Sequence, residues 1–160
     1  MRLLILAIGK LRTGPEQQLA LDYMERSTKL GRVLGLSSLR LVEIQESRAA
    51  SESERRREEA DRLIDKLPPR SYAIALDERG KDLTSDAFAG QLRRLIDGSV
   101  SDLAFLIGGA DGHGPQVANR ADLQLSLGKM TWPHRLVRPM LTEQIYRAVT
   151  ILTNHPYHRA

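Results

Sequence analysis

The stretch LLILAI, Leu3 to Ile8, is apolar at every position. A strand with one wet face alternates apolar and polar residues, so an unbroken run implies a strand covered on both faces, as in a parallel sheet. LRLVEI (Leu39 to Ile44), YAIAL (Tyr72 to Leu76), LAFLI (Leu103 to Ile107) and LQLSL (Leu123 to Leu127) complete a set of five candidate strands. Helical patterns lie between them. Ser51 and Glu54 form an S-x-x-E capping box, followed by an apolar stripe at Ala60, Leu63, Ile64 and Leu67 that Pro68 and Pro69 end. Phe88, Leu92, Leu95 and Ile96 mark a second helix, with Thr84 or Ser85 as its cap and Gly98 near its end. The last helix carries Val137, Leu141, Ile145, Ala148 and Leu152, with a favourable Glu143/Arg147 pair. Pro139 is expected in its first turn, because an interior proline breaks a helix. A strand–helix unit repeated five times predicts an α/β fold: a mostly parallel sheet with helices on both faces. No linker, repeat or low-complexity segment divides residues 1–160, which fit a single domain.

Composition removes several function classes. Cysteine is absent, which excludes disulfides, thiolate metal sites and cysteine nucleophiles and suits a reducing compartment. Gly9, Lys10 and Arg12 cut the first apolar run short, and no stretch approaches the roughly 18 apolar residues of a membrane span. The expectation is a soluble, cytoplasmic protein with no membrane partner. The net charge is +4. From Lys129 onward, Lys129, Arg135, Arg138, Arg147 and Arg159 face one acid, Glu143, a surplus equal to that of the whole chain. A basic region so placed points to an anionic partner such as nucleic acid. The run Arg55, Arg56, Arg57 lies among glutamates and reads as a solvated helix face.

Ligands of parallel sheets bind beyond the carboxyl ends of the strands, and two such ends stand out. LAFLIGGADGHG carries Gly108, Gly109, Gly112 and Gly114 directly after a buried strand. It is a ligand loop or a tight turn, and it matches neither the dinucleotide fingerprint nor a P-loop. In LSLGKMTWPHRLVRP, Leu127 to Trp132 form an irregular segment, and His134, Arg135 and Arg138 are candidates for contact with RNA or substrate. No metal-ligand spacing is present. The terminal peptide NHPYHRA is chemically rich for a chain end, with two histidines, a tyrosine and an arginine.

IGGADG, SLGKMTWPH, EQIYRA and PYHR, with AIGK and LDERGKDLTSDAFA, stand in the order and spacing of one family. From Ala75 to Arg159 above all, the chain resembles the ribosomal RNA large subunit methyltransferase H family, the 23S rRNA pseudouridine N3-methyltransferases of the SPOUT superfamily. Gly128-Lys129 replaces that family's more usual serine-plus-small pair. The resemblance implies a C-terminal trefoil knot, a homodimer, and S-adenosylmethionine (SAM) lined by Leu76, Gly108, Leu127, Gly128, Lys129, Met130, Thr131 and Trp132. It implies methyl transfer to 23S rRNA within the ribosome, without metal. The acceptor N–H must lose its proton. His158 as base, or Arg159 stabilising a developing oxyanion, would serve that step, with Tyr157 as a stacking face or as a packing group for the terminus. Two other readings stay open: a SPOUT enzyme for another rRNA or tRNA base, and a basic α/β RNA-binding module without catalysis.

Overall fold

The computed structural model describes residues 1–158. The elements are β1 (Arg2–Ile8), α1 (Pro15–Gly31), a 3-10 turn (Arg32–Leu34), β2 (Ser38–Ile44), α2 (Glu52–Asp65), β3 (Tyr72–Asp82), α3 (Ser85–Asp97), β4 (Asp102–Ile107), α4 (Pro115–Arg120), β5 (Leu123–Ser126) and α5 (His134–Leu152). The strands form one sheet in the order β2-β1-β4-β3-β5, and every pairing is parallel. The expected α/β architecture is therefore present. Residues of β4, at the centre, are buried at all positions, which is why that run is unbroken. Alternate strand residues feed two cores. Leu3, Ile5, Ile74, Leu103 and Phe105 pack under α3 and α5, with α1 against α5. Leu6, Ile8, Ala73, Ala75 and Leu106 pack under α2 and α4.

The helix ends follow local chemistry. The Ser51 hydroxyl accepts from Glu54 N at the start of α2, and the Thr84 hydroxyl accepts from Ala87 N at the start of α3. Asn154 takes φ 53° after α5, with Asn154 N bonded to Ile151 O and His155 N to Thr150 O. That Schellman closure turns the tail back along its own helix.

Two expectations need correction. First, Pro139 lies inside α5, because the helix begins at His134, well before the first apolar stripe residue. Pro139 removes one backbone bond, to Arg135 O, and the helix continues because its neighbours are anchored elsewhere. Second, Arg138 does not face substrate. Its side chain is 2% exposed. Nη1 donates to Glu43 Oε1 at 2.6 Å, and Nη2 donates to the Ile8 and Gly9 carbonyls at 3.0 and 2.7 Å. Glu43 Oε1 also accepts from Leu11 N at 2.7 Å. Burial opposes the guanidinium charge and pulls its pKa below the ordinary value, and Glu43 counters that in part. The expected basic surface is thinned further, since Arg147 pairs with Glu143 and Arg135 with Glu16.

The Arg138 cluster makes a prediction. Arg138→Met should lower stability by about 3–5 kcal/mol, because Glu43 loses its charge partner, Gly9 O loses its side-chain donor, and Ile8 O is left with His134 alone. Urea denaturation at fixed protein concentration measures this; a loss under ~1 kcal/mol would show that the cluster contributes little.

Candidate active site

Because all five strands run the same way, their carboxyl ends share one edge of the sheet, and a cleft of about 630 Å³ opens there. That volume lies in the usual range for a small-molecule site. Three loops and the start of α5 build it.

The first loop is a looped-out part of β3. Leu76 pairs with Leu125 of β5, and after four intervening residues Lys81 pairs with Leu125 again. Asp77, Glu78 and Arg79 are thereby expelled from the ladder into the cleft lip. Gly80 brings the chain back: a Cβ there would sit 2.7 Å from the backbone of Gln124 and Leu125. Asp77 accepts from the Arg79 backbone N and guanidinium, and this side-chain bond holds its carboxyl below the usual range. It is a fixed carboxylate at the cleft wall, paired with the Arg79 guanidinium that lines the same cleft.

The second loop, Gly108 to Gly114, follows β4 and lines the cleft through His113. Its glycines do different jobs. Gly112 has φ +80°, a conformation that favours glycine. A Cβ on Gly108 would press, at 3.1 Å, on Gly112 and His113 Nδ1, so this glycine lets the loop fold on itself. Gly109 and Gly114 allow close approach to α2, at the Glu59 carboxylate and the Arg56 backbone respectively. The loop therefore belongs to both alternatives left open by the sequence: it is a tight turn, and it lines a cleft.

His113, which the sequence did not single out, is buried behind this loop. Its Nε2 lies 3.0 Å from Leu76 O, so Nε2 carries the proton and donates, tying the end of β3 to the loop after β4. Burial pushes its pKa below the ordinary value, with Asp77 opposing the shift.

The third loop runs from Leu127 to Pro133. The Ser126 hydroxyl accepts from Gly128 N at 3.1 Å and donates to Gly128 O at 2.8 Å, while Trp132 Nε1 donates to Leu127 O at 3.2 Å. Gly128 takes φ +117°, which explains the glycine at this position. His134 closes the cleft from α5, with Nε2 donating to Ile8 O at 3.2 Å, the same carbonyl that Arg138 holds.

The structure brings together Leu76, Gly108, Leu127, Gly128, Met130, Thr131, Trp132 and His134 in this one cleft. Lys129 is exposed on the same loop. Arg135 is exposed beside Glu16. Tyr157 and His158 do not line the cleft. The Tyr157 ring stands edge-on to Tyr146 with centroids 4.7 Å apart, and the Arg147 guanidinium carbon lies 5.1 Å from its centroid. Its hydroxyl donates to Glu143 Oε1 and meets the Tyr23 hydroxyl, both at 3.2 Å. Burial, the Tyr23 bond and Glu143 push its pKa up, so the phenol stays protonated. Within the chain Tyr157 packs the terminus down. His158 Nε2 lies 3.7 Å from Asp86 Oδ1. Arg159 falls outside the described residues.

The sequence pattern of the family described as "Predicted SPOUT methyltransferase" matches residues 1–158. The chain belongs to the SPOUT methyltransferase family. It is 54% identical over 160 residues to a Sinorhizobium fredii protein named ribosomal RNA large subunit methyltransferase H, covering all of both chains. The Rhizobium meliloti protein of that name is 53% identical over the same span. In this SPOUT chain, no group of three or more His, Asp or Glu residues is placed to hold a metal among the described residues. No described helix is long and apolar enough to cross a membrane.

His113 gives a pH prediction. Below the ordinary histidine value of about 6.5 the unfolded chain takes up a proton that the buried ring resists, so stability should fall as pH drops through that region. His113→Gln keeps a donor for Leu76 O and should lose less stability between pH 7.5 and pH 5.5 than the unsubstituted chain. Equal losses in urea titrations at the two pH values would contradict this.

Proposed function

We propose that residues 1–160 work as one SPOUT domain that methylates N3 of a pseudouridine in 23S ribosomal RNA, using SAM. The observation that carries this is the full-length identity of 54% to a relative named as a ribosomal RNA large subunit methyltransferase. The cleft supports it. Leu76, Ile107, Leu125, Leu127, Met130 and Val137 supply apolar wall, Gly108 and the Leu127–Trp132 loop supply backbone donors and acceptors, and Asp77 supplies a negative charge. That set suits a cofactor with an adenine ring, an ammonium and a sulfonium but no phosphate. When bound, SAM supplies an activated methyl group; the chain's task is alignment and exclusion of water.

The residues divide that task. Leu127, Met130 and Trp132 cover the cleft, and the Ser126–Gly128 bonds hold their loop. His134 is held by Ile8 O at the wall, and the exposed Lys129 and Arg135, the latter paired with Glu16, are candidates for RNA phosphate. The proton of the acceptor N3 goes to His158, or the flanking oxyanion is stabilised by Arg159, with Tyr157 holding the tail in place.

We assign the tail to the cleft of a second copy in a homodimer, and the C-terminal segment to a trefoil knot, as the family resemblance implies. A supporting feature is the apolar groove between α1, α3 and α5, where the half-exposed Leu19, Leu136 and Trp132 are available for a second chain. This groove shares Leu127, Gly128 and Trp132 with the cleft, so a partner seated there reaches the cleft rim. A cytoplasmic setting follows from action on ribosomes.

Two measurements test the reading. Mass spectrometry of 23S rRNA nucleosides from a strain lacking the protein should show loss of one methylated pseudouridine, restored by the intact gene; loss of a different methylated base would move the activity to another RNA target. Deleting Tyr157 to Ala160 should leave SAM affinity within about threefold while slowing single-turnover methylation by a factor of roughly 10² or more. Methylation at the unaltered rate would reduce the tail to packing alone.

A further inference from the structure

Of the arginine run of α2, expected as a solvated face, only Arg57 is exposed; Arg55 and Arg56 are half-buried and bonded. Arg55 Nε donates to Asp111 Oδ2 at 2.7 Å, and its Nη1 donates to Ala49 O and Ala50 O, both at 3.2 Å. Arg56 donates from Nε and Nη2 to His113 O at 3.1 and 2.9 Å, and its side chain lines the cleft. Arg57, one residue on, is exposed. Both contacts land on the Gly108–Gly114 loop, at its tip and at its exit. Ahead of them in the loop, Gly109 sits against Glu59, whose other oxygen accepts from Ser47 N at 2.9 Å.

We propose that Arg55 and Arg56 are positioning residues for the cleft: by gripping Asp111 and the His113 carbonyl from α2, they hold the Gly108–Gly114 loop in the shape that admits the cofactor. Apart from these grips, the loop is held at its exit by the His113–Leu76 bond, while its tip depends on Arg55. It contains four glycines, the residue that loses most conformational freedom on ordering, and its internal bonding includes one short bridge between Gly109 and Gly112. Two charge-assisted contacts from a rigid helix remove that freedom before the ligand arrives, so binding does not have to order the loop. This rests on the reading that the cleft takes SAM.

Calorimetry with S-adenosylhomocysteine is the test. Arg55→Gln and Asp111→Asn should each weaken binding about three- to tenfold, and the double variant should be no weaker than the worse single one, because both remove the same contact. Arg56→Gln should weaken binding similarly, Arg55→Lys should recover part of the loss, and Arg57→Gln should change nothing. A purely structural role would instead lower stability with affinity preserved in the folded variants. Amide hydrogen exchange provides a second reading: Asp111→Asn should speed exchange at Gly112 N, which donates to Gly109 O, and leave β4 amides unchanged. Folded single variants that bind as tightly as the unsubstituted chain, or additive losses in the double variant, overturn the proposal. An unsubstituted protein that binds no S-adenosylhomocysteine overturns the cleft reading itself, and the proposal with it.

Discussion

A single buried guanidinium sets the geometry on which the cleft depends. Arg138 holds the carbonyls of Ile8 and Gly9, where β1 leaves the sheet, and reaches Glu43 in the neighbouring β2. It thereby pins the first half of α5 to the carboxyl edge of the sheet. That anchor lies one residue before the Pro139 gap in the helix, and together with the bond from His134 to Ile8 O it fixes the start of α5 at the cleft wall. Buried charge is expensive unless each donor is used. Arg138 uses both terminal nitrogens, while its Nε finds no partner.

The remaining walls come from ways of leaving a parallel sheet. β3 expels Asp77 to Gly80 and returns. β4 ends in a glycine loop pressed onto α2. β5 ends in a loop closed by Ser126 and Trp132. The backbone is brought to the cleft by these exits, and side chains from elsewhere hold it there: His113 to Leu76, Arg56 to His113, Arg55 to Asp111. Catalysis by alignment needs this kind of preorganised wall more than it needs reactive groups.

Much of this was legible in the sequence because burial on both faces writes itself as unbroken apolar runs. Leu3–Ile8 and Leu103–Ile107 could be little else, and Ser51, Thr84 and Gly98 punctuated α2 and α3 as their chemistry requires. Leu127 to Trp132 has no periodicity of its own and was legible only as an irregular strand exit; its role toward a cofactor came from the family resemblance alone. Helix α1 was faint: its buried stripe is Ala20, Met24, Ser27 and Gly31, of which only Met24 is a large apolar residue. Charge was the least legible feature. Arg138, Arg55 and Arg56 look like surface cations in one dimension, and their partners Glu43, Asp111 and the His113 carbonyl lie 95, 56 and 57 residues away. No local pattern encodes contacts at that separation. The basic C-terminal segment carries less free charge than its composition suggests for the same reason, because Arg135 and Arg138 are paired with Glu16 and Glu43 from the first third of the chain.

The central claim is that the cofactor sits at the carboxyl ends of β3, β4 and β5, and not in the larger apolar groove between α1, α3 and α5. Amide chemical shifts of the isotopically labelled protein, followed while S-adenosylhomocysteine is added, test this directly. The account predicts that the largest changes fall at Gly108 to His113 and Gly128 to Trp132. Dominant changes at Leu83 to Ser85 and Met140 to Gln144, with the glycine loop silent, would contradict it.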